Sequence, residues 1–211
     1  MLEWVSNNPR IFWPAIENHL WLSGFALAAV IAIALPLGLA LTRYRAAAVP
    51  VVALVNVLRT IPSLALLVIM LPLLGIGFLP SVVALTLYGL PALLMNTYTG
   101  LTEIEPDIVE AARGQGLSDA QVMVRIEIPL ALPVIFAGLR TAAVQIVSAA
   151  TLAAFIGGGG LGELITAGMA NFNIPQLVAG AVTVALLTLL VELGFAALQW
   201  LMTRSLRTGA A

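Results

Sequence analysis

Residues 107–133 read DIVEAARGQGLSDAQVMVRIEIPLALP, a polar, helix-forming stretch in a chain that is 61% apolar and only 9% charged. The 25 positions from Glu103 to Glu127 hold eight of the nineteen charges, nine basic and ten acidic. Local chemistry predicts two short helices here. Pro106 suits the first helical position, and Gly116 suits the left-handed residue that follows a helix end. Ser118 and Gln121 form a capping box, with Leu117 and Val122 as its hydrophobic staple. Pro129 is expected to stop the second helix, with an apolar span beginning near Pro133.

Working outward, the surroundings are apolar throughout. The 211 residues include no lysine and no cysteine, and the mean hydropathy is +1.08. A soluble domain is nearer half apolar and a quarter charged, so this chain belongs in a membrane. Without cysteine there is no disulfide framework and no thiolate metal site. The net charge of −1 offers nothing to a nucleic-acid partner.

A helix needs about 20 apolar residues to cross the hydrocarbon layer. Between His19 and Arg43 lie 23 uncharged residues, which make span one. The N-terminus lacks a basic segment and a small-residue cleavage site, so this run reads as a retained span. From Thr60 to Thr102 there are 43 uncharged residues, divided by LGIGFLPS at 74–81 into span two, ending near Leu74, and span three at 80–101. Span two starts before Arg59, around Pro50, and Pro62 is expected to kink or break it. Span four covers 131–154 and span five 176–201. The fold predicted is therefore all-α and polytopic, with five transmembrane helices, or six if Pro62 splits the second region.

Arginine placement orients these spans. Arg43 and Arg45, Arg113 and Arg125, and Arg204 and Arg207 fall on one side, and Arg10 on the other. The excess of positive charge marks the cytoplasmic side, placing the island and the C-terminus inside and the N-terminus outside.

Three readings of the island compete. A plain connecting loop of this length without a task is uncommon. A DNA-binding helix-turn-helix also uses a glycine corner. The six acids and two arginines of residues 103–127 would be repelled by phosphates, which excludes it. A docking element fits: paired alanines permit close approach by another protein, and capped ends keep the piece rigid.

The spacing is specific. Glu110-Ala111-Ala112, three residues, Gly116, nine residues, Ile126, then Ile128-Pro129 resembles the EAA motif of ABC-importer permeases, with Ile128 in place of that motif's leucine. The resemblance implies a type I importer permease, one transmembrane domain over residues 1–211 with its core at 19–200. It further implies that residues 103–129 form a coupling helix region seated in a groove of an ATP-binding subunit. Glu110, Ala111, Ala112 and Gly116 are then expected at the contact, and Ile126, Ile128 and Pro129 complete the motif. It also implies no enzymatic activity and no cofactor in this chain, with ATP and Mg held by the partner ATPase. A second permease copy or a similar permease, an external substrate-binding protein and a bacterial or archaeal plasma membrane complete the picture. The physical logic is independent of the family: a transporter with no ATP site has to receive work through a rigid knob.

The run IGGGGLGELI at 156–165 is not a phosphate loop, since it lacks the lysine, the hydroxyl and a preceding strand. It reads as a helix end with close backbone packing, and Gly158 and Gly162 have small-xxx-small spacing. It resembles a segment of permeases for glycine betaine, choline, carnitine and related osmoprotectants, and also of methionine permeases, while RTIPSLALL at 59–67 and ATLAAFIGGGGLGELI at 150–165 resemble the second-span signature and the fourth-span end of the osmoprotectant group. A quaternary amine is the expected cargo, a methionine or other amino-acid permease the nearest alternative. An ion-coupled secondary carrier would need paired carboxylates at mid-depth, where only Glu192 is found. A non-transporting scaffold would have no use for the coupling pattern.

Polar groups within spans mark pathways or interhelical bonds. Glu192, Asn56, Asn96, Gln145, Ser148 and Thr151 are the candidate pathway-lining residues. Gln145, Ser148 and Thr151 lie three apart, on roughly one helix face. Arg140 is expected to pair with Glu192, and Arg59 to serve the carbonyls freed at Pro62 or to reach the interface. His19 stands alone, and no metal site assembles around it. Trp4, Trp13, Trp21 and Trp200 suit interfacial anchoring. At 7% aromatic, the chain has little from which to build a cage for a quaternary ammonium.

Overall fold

In hydrocarbon, backbone N–H and C=O groups have to be satisfied within their own segment, which drives a chain this apolar into helices. A computed structural model describes residues 1–208, apart from the side chains of Arg45 and residues 202–208. No strand occurs among the described residues. A short α1 (Leu2–Asn7) leads into α2 (Pro9–Arg43). The first span thus belongs to a helix that begins ten residues before His19. Trp13 and Trp21 are exposed along it.

Next come α3 (Arg45–Thr60) and α4 (Ser63–Leu74), set at 102° to each other. Pro62 makes this break, as expected. Ile61 before it is extended, at φ −77° and ψ 124°, the region into which a following proline pushes a residue. Among the described residues, four helices are long and apolar enough to cross a membrane, and the bent pair makes a fifth span if counted as one. Arg59 is exposed at the end of α3.

The hub is α5 (Phe78–Thr102). In its most apolar stretch 61% of residues are buried, against none for the last helix. Packed against α5 are α2 and α8 (Ile128–Ala149). These contacts are close because glycines form them: a Cβ on Gly38 would lie 2.7 Å from Thr97, and one on Gly138 2.5 Å from Asn96. Small residues at such crossings let helices gain dispersion contacts where lipid provides no hydrophobic drive.

The island holds α6 (Pro106–Gly114) and α7 (Asp119–Val122). Here one expectation is overturned, because Pro129 does not stop the second helix. Residues Met123–Glu127 form a single π turn, and the chain runs through it from α7 into α8. Proline in a helix lacks one N–H and its ring strikes the carbonyl four residues back. The wider π turn directly before Pro129 accommodates both problems without breaking the helix.

At the other end, α8 tightens into a 3₁₀ segment (Ala150–Ile156), and the left-handed Gly157 ends it. A helix the sequence reading did not assign, α9 (Leu161–Ala170), then lies against α10 (Ile174–Thr208). A Cβ on Gly158 would meet Ser81 Oγ at 2.2 Å, and one on Gly162 the Thr151 carbonyl oxygen at 2.0 Å. Both glycines therefore pack within the chain. The turn before α5 joins this end, the Gly77 N–H donating to the Ile156 carbonyl at 2.8 Å. Leu54, Val57, Val68, Ile69 and Leu73 on α3 and α4, and Leu186, Leu189, Leu190 and Leu193 on α10, face outward. An apolar exterior of that kind suits lipid.

Candidate functional site

Two regions concentrate polar chemistry. The first is the island. Pro106 opens α6 at its first turn. At the other end Gly116, at φ +86°, donates to the Arg113 carbonyl, and Leu117 donates to the Ala112 carbonyl. That pair of bonds is a complete Schellman closure. Two residues on, the Ser118 hydroxyl accepts from the Gln121 N–H while the Gln121 side chain accepts from the Ser118 N–H. Both helix ends at the corner are thus satisfied locally, and the knob is preformed.

Ion pairs tie it down. Arg113 Nη2 lies 3.1 Å from Asp119 Oδ1, linking α6 to α7. Arg43, the last residue of α2, donates to the Asp119 carbonyl at 3.0 Å and lies 3.6 Å from Glu127 Oε2. The end of span one and the island therefore share one side, as the arginine pattern requires. Arg45, Arg204 and Arg207 belong to the same argument, but their side chains lie outside the described residues.

Of the sequence-predicted contact residues, Glu110, Ala111 and Gly116 are exposed. Ala112 points inward and is buried. Ile126, Ile128 and Pro129 are half-buried in and just after the π turn. A groove of about 260 Å³ runs beside Glu110, lined also by Arg43, Ile104, Val109 and Glu127.

The second region lies between α8 and α10. Arg140 and Glu192 form an ion pair there, as expected from sequence. They line a hollow of about 420 Å³ with Thr141, Gln145 and Gln199. Higher on the same helices Ser148 and Thr188 approach to 3.5 Å. Thr151 lies past the change to 3₁₀ geometry, and its hydroxyl donates back to the Ser148 carbonyl at 2.7 Å. The structure thus gathers Gln145 and Glu192 but not the rest of the predicted set. Asn96 bonds the Ala92 carbonyl one turn back in its own helix and packs at Gly138. Asn56 is exposed on α3, which packs on α2 and α5. Thr141 and Gln199 were missed in the sequence. Their signal was available: Thr141 is four residues before Gln145, and Gln199 seven after Glu192, which shares a helix face.

His19 is fully buried, its Nε2 3.0 Å from the Val147 carbonyl oxygen. Its ring packs against Gly160, where a Cβ would lie 3.1 Å from Nδ1. It fastens the glycine turn to α2, a task in helix packing.

Residues 31–208 match the family described as binding-protein-dependent transport system inner membrane component. The chain belongs to that family. It is thus a multi-pass inner-membrane component, and family membership implies ATP-binding subunits and a substrate-binding protein as partners in general. Among curated relatives, the chain is 41% identical over 175 residues to "Glycine betaine/carnitine/choline transport system permease protein OpuCB" of Bacillus subtilis (strain 168), covering 83% of this chain and 81% of that one. It is 42% identical over 180 residues to "Osmoprotectant import permease protein OsmW" of Salmonella typhimurium, covering 83% and 84%. A solved structure of the MetNI methionine ABC transporter in an inward-facing conformation superposes with a TM-score of 0.81 at 22% identity, over 92% of this chain and 98% of that one. At that identity the likeness concerns the fold, which is that of a type I importer permease.

Proposed function

We propose that this inner-membrane component is the permease of an ABC importer for quaternary amine osmoprotectants such as glycine betaine, choline or carnitine. The relatives at about two-fifths identity, named for glycine betaine, carnitine, choline or osmoprotectant transport, carry the substrate class. Residues 103–129 face the cytoplasm and dock on the ATP-binding subunits, Glu110, Ala111 and Gly116 forming the outer surface and Ala112 its support. Ile126, Ile128 and Pro129 carry the motion of the knob into α8. The observation that supports this mechanism is the continuity of α7, the π turn and α8. A displacement of the knob then reaches a spanning helix without crossing a flexible joint. The ATPase subunits hold ATP and Mg, two permease copies or this chain and a similar one enclose the path, and an external binding protein delivers cargo.

Uptake by the reconstituted importer tests the reading, using labelled glycine betaine, choline and methionine. Quaternary amines should enter only with ATP and a working ATPase. Transport that persists with an ATPase-dead partner would sink the ABC mechanism, and preferential entry of methionine would sink the substrate class.

A further inference from the structure

The hollow between α8 and α10 is lined by polar side chains, two of them already tied to the helices: Thr141 donates to the Ala137 carbonyl at 2.8 Å and Gln199 to the Pro133 carbonyl at 3.3 Å. Arg140 lies about 18 Å along α8 from Ile128, and Glu192 about 27 Å along α10 from Ile174, at 1.5 Å rise per residue. Both are therefore deep within spanning helices. Each side chain is nevertheless 34% exposed. Ionised groups at such depth avoid lipid and face water or protein. A latch that merely joined two helices would be better enclosed. Here Thr141, Gln145 and Gln199 surround the pair in a space of about 420 Å³, within the size range of small-ligand sites.

We propose that Arg140 and Glu192 form a zwitterion-binding station on the transport path. Arg140 takes the carboxylate of the ligand, and Glu192 faces its quaternary ammonium. The inference rests on the quaternary-amine reading and narrows it to amines that also carry a carboxylate, such as glycine betaine and carnitine. Electrostatics favours this ligand class. Empty, the two residues neutralise each other. Occupied, each ligand charge replaces the partner it displaces, so the site is neutral in both states. Entry and release then exchange one set of ion pairs for another, which suits passage rather than tight capture. The guanidinium fork matches a carboxylate with two parallel hydrogen bonds. A trimethylammonium donates no hydrogen bond and needs only the nearby negative charge. Choline would satisfy Glu192 while leaving Arg140 unpaired.

The absence of cysteine from the sequence makes the test direct. Thr141→Cys supplies a single thiol beside the pair. In the assembled importer, with its ATPase and binding protein in vesicles, a charged methanethiosulfonate should label that thiol from water. Glycine betaine at ten times its half-saturating concentration leaves about a tenth of sites open, so labelling should slow about tenfold. Choline at the same concentration should slow it less than twofold. Adding Arg140→Gln should remove protection by glycine betaine while the thiol stays reactive. An unreactive thiol in the Thr141→Cys importer would overturn the proposal, because the hollow would be dry. Labelling that is indifferent to glycine betaine, or equally slowed by choline, would also overturn it. If the wild-type importer carries glycine betaine and protection is absent, the station alone is wrong. If it carries no quaternary amine, the functional reading beneath it is wrong too.

Discussion

The guanidinium of Arg43, the last residue of α2, donates to the backbone carbonyl of Asp119 in the island, 76 residues away, at 3.0 Å. The same group reaches Glu127 at 3.6 Å. One side chain thus fastens a spanning helix to both ends of the segment that links the knob to α8.

Replacing Arg43 with Ala should therefore affect coupling more than stability. Partly exposed ion pairs are worth about 1 kcal/mol or less, so the melting temperature should barely move. Transport per ATP hydrolysed should fall several-fold, since the knob can shift without carrying α2. Unchanged stoichiometry in reconstituted vesicles would show that the clamp is incidental.

Two adjacent alanines should respond in opposite ways. Ala111 is exposed and Ala112 is 7% exposed. Ala111→Trp should leave folding within about 0.5 kcal/mol of wild type, as is usual for surface changes, yet prevent the ATPase from co-purifying. Ala112→Trp should destabilise the island itself, since overpacking typically costs about 1–3 kcal/mol. Normal ATPase retention by a folded Ala111→Trp variant would remove this face from the proposed contact.

At the opposite end, Gly162 and Gly158 should differ in tolerance. A Cβ on Gly162 meets a backbone oxygen, that of Thr151, at 2.0 Å, whereas one on Gly158 first meets the Ser81 hydroxyl at 2.2 Å. A side chain can rotate away and a backbone carbonyl cannot. Gly162→Ala should thus lower thermal stability more than Gly158→Ala, and Ser81→Ala should partly rescue only the latter. Equal losses in a thermal-unfolding assay of detergent-solubilised protein would contradict this packing.

Hydropathy, capping chemistry and proline rules made much of this legible beforehand. The spans follow from runs of about 20 apolar residues, and the break at Pro62, the opening of α6 at Pro106 and the Ser118–Gln121 box are governed by residues within about one helical turn of each other. The same local rules failed at Pro129, because a single π turn absorbs a proline that an α-helix would not. They also left α9 unassigned, since ten residues after a glycine run are too few to register as a span.

By itself, the sequence determined that this chain is a bundle of membrane helices with a rigid, polar, doubly capped knob on one side. Backbone satisfaction and local capping allow little else. It did not determine which faces meet. Lipid and protein interior are both apolar, so a spanning helix carries little signal for its rotation. Only the tertiary structure decided that Thr141 and Gln199 join the Arg140–Glu192 pair, that Ala112 turns inward beneath Ala111, and that His19 is buried against the glycine turn. Close helix approach at glycines sets those rotations, and no local interaction along the chain can.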